Sequence, residues 1–380
     1  MNQFKIKTEV RFSDNAIDTL TEFSDVNAAI ITDTFMVKSG TVEQIMEKLT
    51  RCNHISVFSD VKPDPSIELI AQGLKFLQQE NADIVIALGG GSSIDAAKSM
   101  VFMANRINTN KRVKLIAIPT TSGTGSEVTK FAVITDTARG IKYPLVDEGL
   151  LPDLAILDPA LVVSAPPSVT ADTGMDVITH ALEAYISTMA NDASDALAER
   201  ALTIAFKYLP RAYKNGHDLR SREKMHSASC LAGMSFNETG LGVNHGIAHA
   251  LGAKFHIPHG RANAMLLPHV VKFNADIQGN FGEREYARPA RRIAEIARRI
   301  HLPAENIRVG VESFIDELKY MLKMMQIPTT LAEAGVGRQA YEQVKDEIIE
   351  SALNDACTAT NPVKVTAKDV ENILSNIAVW

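Results

Sequence analysis

Half of the ten histidines, His245, His249, His256, His259 and His269, fall within one stretch of 25 residues. A lone histidine is more often a satisfied core or surface residue, but five together call for a common cause. His245 and His249 are four apart, so on a helix they share a face, and Asp176 and His180 stand in the same relation within TGMDVITHALE. Two such pairs, with His259 after the turn at Pro258, offer imidazole and carboxylate donors that suit Fe, Zn, Mn or Ni, and the lack of thiolate spacing argues against a structural zinc knot. Spacing alone leaves the five histidines and Asp176 as interchangeable candidates. His54, His217, His226 and His301 fall in no such pattern and read as ordinary histidines.

A second kind of chemistry sits upstream. The apolar run DIVIAL leads into Gly89, Gly90, Gly91 and Ser92 and then into the helix-like IDAAKSMVFMAN. Glycines at a strand-to-helix turn let the backbone approach a pyrophosphate, and the free amides of the helix start attract its charge. The turn is not the usual G-x-G-x-x-G fingerprint, since Ile94 stands at the third glycine position, and it is not a P-loop. IAIPTTSGTGSE adds Thr120, Thr121, Ser122, Thr124 and Ser126 at the end of another apolar strand, a density of hydroxyls that suits a polyanionic or ribose-bearing ligand. Asp33 closes the first apolar strand, where a carboxylate would accept from ribose hydroxyls and repel a 2′-phosphate, favouring NAD over NADP. It precedes the glycine turn, the reverse of the usual order.

These residues need elements to hold them. AAIITD (28–33), HISVFSD (54–60), DIVIALGGG (83–91) and KLIAIPTT (114–121) are short apolar runs separated by helix-length segments, the mark of βαβ units and a parallel sheet. MNQFKIKTEVRF alternates like an edge strand and has no apolar leader segment. Beyond APPSV (165–169) the texture turns to Ala- and Leu-rich segments with apolar residues three and four apart, so this half is expected to be helical. The expected domains are 1–165, an α/β dinucleotide-binding domain, and 166–380, an all-helical metal-binding and catalytic domain. The formal net charge of -6 excludes a basic nucleic-acid surface, no apolar run approaches the roughly 20 residues of a membrane span, and a cytoplasmic location is expected. Cys52, Cys230 and Cys357 are too few and too scattered for a disulfide framework and read as buried thiols.

With these motifs in order, the chain resembles the iron-containing, or group III, alcohol dehydrogenases along nearly its whole length. The resemblance rests on GGGSSIDAAK (89–98), PTTSGTGSEVT (119–129), LDPALV (157–162), TGMDVITHALEAY (173–185) and GLGVNHGIAHALGAKFHIPHG (240–260). Within the family, GIKYPL, LPDLAILDP, SDALAE and MHSASCLAGMSF are most similar to the propanol dehydrogenases of bacterial 1,2-propanediol utilisation. The resemblance implies a dehydroquinate-synthase-like fold with the active site in a cleft between an α/β and an all-helical domain. It implies Asp176, His180, His245 and His259 as metal ligands, with Fe²⁺ or Zn²⁺ bound, and His249 as a non-ligand catalytic histidine near substrate and nicotinamide. The implied NAD contacts are Asp33, Gly89, Gly90, Gly91, Ser92, Asp95, Thr120, Thr121, Thr124, Ser126, Lys142 and Leu161. In KPDPS, Asp64 departs from the asparagine that family members often carry there. The implied reaction is reversible hydride transfer between NADH and a short-chain aldehyde, propanal to 1-propanol, by a homodimer in the cytoplasm or inside a microcompartment with its other enzymes. A zinc polyol dehydrogenase, a lyase like dehydroquinate synthase and a non-catalytic scaffold are the competing readings; the third ligand histidine and the TTSGTGSE segment favour the alcohol dehydrogenase.

Overall fold

The run Ile84–Gly89, IVIALG, is buried at every residue, as a strand covered on both faces must be. It is β4 of a computed structural model that describes residues 4–137, 139, 141–277 and 286–380, the side chains of 141 and 142 excepted. The other strands are β1 (Glu9–Phe12), β2 (Asn27–Asp33), β3 (His54–Val61), β5 (Lys114–Pro119), β6 (Phe131–Asp136), β7 (Ile141–Val146) and β8 (Leu154–Leu157). Six of them form one parallel sheet in the order β1-β8-β5-β4-β2-β3, and β6 pairs with β7 as an antiparallel hairpin. The N-terminal alternation indeed yields an edge strand, β1.

Strand period two divides the sheet's side chains between two cores. Ala29, Ile31, Val85, Ala87, Leu115 and Ala117 pack with α3 (Ile67–Gln79) and α4 (Gly91–Ile107). Ala28, Ile30, Ile86, Leu88, Ile116 and Ile118 pack on the opposite face with Leu20 of a 3₁₀ turn and with Val42 and Ile45 of α2 (Thr41–Met46), which follows the short α1 (Thr34–Lys38). Each Val, Leu or Ile among them contributes about 1.5–3 kcal/mol on burial, and each Ala less. The order has a functional consequence. The chain proceeds outward from β2 to β3, then crosses back to β4 and β5 on the other side of β2, so β2 and β4 flank a switch point, beyond whose carboxyl ends ligands of such sheets bind. Asp33, the glycine turn and Thr120 end the adjacent strands β2, β4 and β5.

The remaining helices are α5 (Pro167–Ile186), α6 (Asp192–Lys214), α7 (Leu219–Thr239), α8 (Val243–Phe255), α9 (His259–Ala275), α10 (Arg288–Arg299), α11 (Ile307–Met324), α12 (Arg338–Asn354) and α13 (Ala367–Ile377). The chain divides into two compact units, Met1–Ala165 with His217–Asn237, and Pro166–Gly216 with Glu238–Trp380. Sequence texture assigns all of 166–380 to the helical domain; residues 217–237 instead pack with the sheet. The reason is close approach: Gly125, at φ 62, and Gly233 of α7 meet so tightly that a Cβ on Gly125 would lie 2.7 Å from the Gly233 Cα. In the second unit α5 is buried along most of its length, while α8, α9, α12 and α13 share a core around Leu251, Leu266, Ile348 and Leu374.

Candidate metal centre and nucleotide turn

Asp176, His180 and Glu183 occupy one face of α5 at positions i, i+4 and i+7, all buried. His245 comes from α8, and His259 and Asn263 from the first turns of α9. The start of α9 lies against α5 because Gly260 has no side chain; a Cβ there would stand 2.2 Å from the Asp172 carbonyl oxygen. One ligand atom each from Asp176, His180, His245 and His259 lies within 4.8 Å of the others. The His180 and His245 rings stack at 4.6 Å.

This donor set fits a divalent transition ion. Asp176 Oδ1 lies 3.5 Å from His259 Nε2 and 3.8 Å from His245 Nε2. Ligands on a tetrahedral ion with bonds of about 2.1 Å sit about 3.4 Å apart. The acceptors draw positive charge even from an amide: Asn263 Nδ2 lies 2.8 Å from Asp176 Oδ1 and 3.1 Å from both His245 Nε2 and His259 Nε2. On the far side of its ring, His245 Nδ1 meets Glu183 Oε2 at 2.5 Å, and Glu183 Oε1 accepts from the Asn244 amide at 2.8 Å. A carboxylate behind an imidazole fixes the ring and aims the other nitrogen at the centre. Burial first, then the neighbouring histidines, holds His245 well below the usual histidine range. Burial also pushes the Glu183 carboxyl up to about 8 against the backbone amides of Asn244, Gly242 and His245. A cation supplied nearby would favour the ionised Glu183 carboxylate and keep His245 neutral, with its Nε2 lone pair free to bind.

His249 sits one turn beyond His245 and stacks on His259 at 5.2 Å and 17°. Its Nδ1 lies 2.9 Å from Asp355 Oδ2. Burial would raise the Asp355 carboxyl, but the His249 contact and the Cys357 amide outweigh it and hold it below the usual range. An ionised Asp355 accepts, so Nδ1 carries the proton and Nε2 keeps a lone pair.

In the first unit, Gly89 takes φ 142, and α4 opens at Gly91 with no side-chain cap. The loop after β5 roofs this turn. Thr121 lies 3.5 Å from where a Cβ on Gly90 would be, and a Cβ on Gly91 would fall 2.8 Å from Thr124 Cγ2. The Thr120 amide donates to the Gly89 carbonyl at 3.0 Å.

Two family models account for most of the chain: iron-containing alcohol dehydrogenase over residues 7–159, and the C-terminal part of the Fe-containing alcohol dehydrogenase family over 170–378. The chain belongs to the iron-containing alcohol dehydrogenase family. It is 44% identical to the 1-propanol dehydrogenase PduQ of Citrobacter freundii, covering 99% of this chain and 100% of that one. A solved 1,3-propanediol oxidoreductase superposes with a TM-score of 0.89 at 31% identity over 99% of both chains. The sulfoacetaldehyde reductase of Bifidobacterium kashiwanohense, solved in complex with NAD⁺, does so with a TM-score of 0.86 at 27% identity over 100% of this chain and 99% of that one.

For an iron-containing alcohol dehydrogenase, several residues read as cofactor contacts have work within the protein. Asp33 Oδ1 caps α1, accepting from the Phe35 and Met36 amides at 2.8 and 3.1 Å, which leaves Oδ2 toward Ser93 at 3.5 Å. Asp95 accepts from Ser126 Oγ at 2.6 Å and from the Val133 amide at 3.0 Å, so both residues brace the loop. Leu161 is buried in the sheet's core beside Ile118 and Leu154. The Lys142 side chain lies outside the described residues. Asp64 stands at φ 56, a left-handed conformation that asparagine also tolerates. His256 is the exposed left-handed cap of α8, and His269 lies further along α9, outside the ligand group. The cysteines are free, and Cys357 shares a second donor group with His249 and Asp355.

Spacing overlooked Glu183, Asn263 and Asp355. The first two were within its reach, three residues after His180 and four after His259. Lys98 was also missed: fully buried, it donates to the Ser126 carbonyl at 3.0 Å, to Thr129 Oγ1 at 3.2 Å and to the Phe131 carbonyl, with burial holding it down to about 8.

Proposed function

We propose that this alcohol dehydrogenase catalyses reversible, NAD-dependent hydride transfer between NADH and a short-chain aldehyde, propanal to 1-propanol first among them, with a divalent metal held by Asp176, His180, His245 and His259. The observation that carries the proposal is the convergence of those four ligand atoms within 4.8 Å. When bound, the ion supplies Lewis acidity at the substrate oxygen, and the nicotinamide carries the hydride.

The chain's own residues do the rest. Glu183 holds the His245 tautomer, and Asn263 donates to Asp176 Oδ1 and orders that carboxylate. His249, anchored by Asp355 and 39% exposed at its side chain, takes the alcohol proton at Nε2 and releases it to solvent. The Gly89–Ser92 turn with Thr121 and Thr124 takes the pyrophosphate, and Asp33 Oδ2 faces the ribose. The likeness to a 1-propanol dehydrogenase supports the substrate, and the family resemblance supports a homodimer in the cytoplasm or a microcompartment. No helix among the described residues is long and apolar enough to cross a membrane. Assaying NADH oxidation with propanal, glycerol and longer aldehydes tests the substrate class: propanal is expected to give the highest kcat/KM, and preference for a polyol would overturn the reading.

A further inference from the structure

We propose that His226 of α7 is a positioning residue for cofactor binding: its ring ties together two points of the loop that roofs the glycine turn. His226 is 2% exposed, and both of its ring nitrogens are engaged. Nε2 lies 3.2 Å from the Pro119 carbonyl oxygen and Nδ1 lies 2.9 Å from Ser122 Oγ. A carbonyl oxygen can only accept, so Nε2 carries the proton and Nδ1 accepts from the Ser122 hydroxyl. Burial above all keeps the ring neutral, holding it down to about 4, so this pattern persists at working pH.

Thr120 and Thr121 lie between the two anchored residues, and Thr124 follows them over Gly91. The close contact of Gly125 with Gly233, two turns along α7, brings the helix near enough for an imidazole to span from Pro119 to Ser122. The loop has no regular structure between β5 and the 3₁₀ turn at Ser126–Val128, so its shape depends on such ties. The inference rests on the reading of this loop as a cofactor loop.

The test compares His226→Leu, His226→Gln and Thr124→Val in the metal-loaded enzyme. NADH binding is followed by fluorescence, with metal content and the KM and kcat for NADH measured in parallel. His226→Leu keeps the bulk but leaves Pro119 and Ser122 without their partner, and is expected to weaken NADH about tenfold. KM rises with it, while metal content is unchanged and kcat at saturating NADH stays within about twofold. Glutamine can donate to Pro119 and accept from Ser122, so His226→Gln restores most of the affinity. If His226→Leu does not fold, Ser122→Ala, which removes one tie, is read instead with the same expected direction. Thr124→Val weakened beside His226→Leu, or the substitute Ser122→Ala, at wild-type affinity would overturn the inference alone. Thr124→Val at wild-type affinity would remove the cofactor reading of the loop, and the inference with it. A His226→Leu enzyme that loses kcat and metal as well would make His226 merely structural and overturn the proposal.

Discussion

Asn263 turns one amide nitrogen toward three of the four candidate ligands, while Glu183 secures His245 from behind. The four ligands and His249 should therefore separate on substitution, although His249 stacks on His259. His249→Ala is expected to keep the metal and lose about 10²–10⁴-fold in kcat, the range of a lost proton-transfer group. Metal loss from that variant, measured by elemental analysis, would place His249 among the ligands instead. Asp33→Gly removes both a helix cap and the carboxylate proposed to face the ribose; it should cost only about 0.3 kcal/mol of stability and weaken NAD more than NADP. Steady-state kinetics with both cofactors checks this, and an unchanged preference would leave Asp33 a cap and nothing more. Paired spacing made the ligand set visible as candidates in the sequence. Glu183 and Asn263 stood within helical spacing of His180 and His259 and could have been found the same way, whereas Asp355 stayed hidden because it meets His249 from far along the chain.

At the scale of elements, β2, β4 and β5 were legible because strands buried on both faces read as unbroken apolar runs. The four-residue β8 and the β6–β7 hairpin are short or partly exposed and left weaker signals. Asp33 coming before the glycine turn is unusual along the chain yet natural in the sheet, where β2 and β4 are neighbours. The contact between the 119–129 loop and α7 needs glycine on both sides. Gly125→Ala meets the Gly233 backbone from a left-handed conformation, and is expected to lower stability by about 1–3 kcal/mol and weaken NADH. Urea denaturation of the variant checks the first, and wild-type stability would show that the loop can shift without cost.

For the whole molecule, local sequence marked the half beyond 165–169 as helical but could not show which core each helix joins. An apolar helix face fits a sheet or a bundle equally well, so the packing of 217–237 with the sheet was not legible. Its burial has a consequence for pH dependence. His226 titrates near 4 in the folded protein against 6.5 for an ordinary histidine, so below 6.5 the unfolded chain takes up a proton that the folded one refuses. Its share of stability is fully present above 6.5 and falls, by on the order of 3 kcal/mol, as pH drops toward 4. Glu127, pushed up to about 7 by burial, acts in the opposite sense, disfavouring the fold as pH rises from 4.5 to 7. Comparing urea midpoints of the wild type and His226→Gln from pH 4.5 to 7.5 isolates the histidine: the variant should lose stability less steeply on acidification, and parallel curves would contradict the assignment.

The central claim is that one divalent ion, held by Asp176, His180, His245 and His259, is required for turnover. Elemental analysis of anaerobically purified wild type and His259→Ala, coupled to NADH oxidation with propanal, tests it most directly. The wild type is expected to carry one ion per chain and to reduce propanal, and His259→Ala to lose both. A metal-free His259→Ala enzyme with full activity would contradict the account.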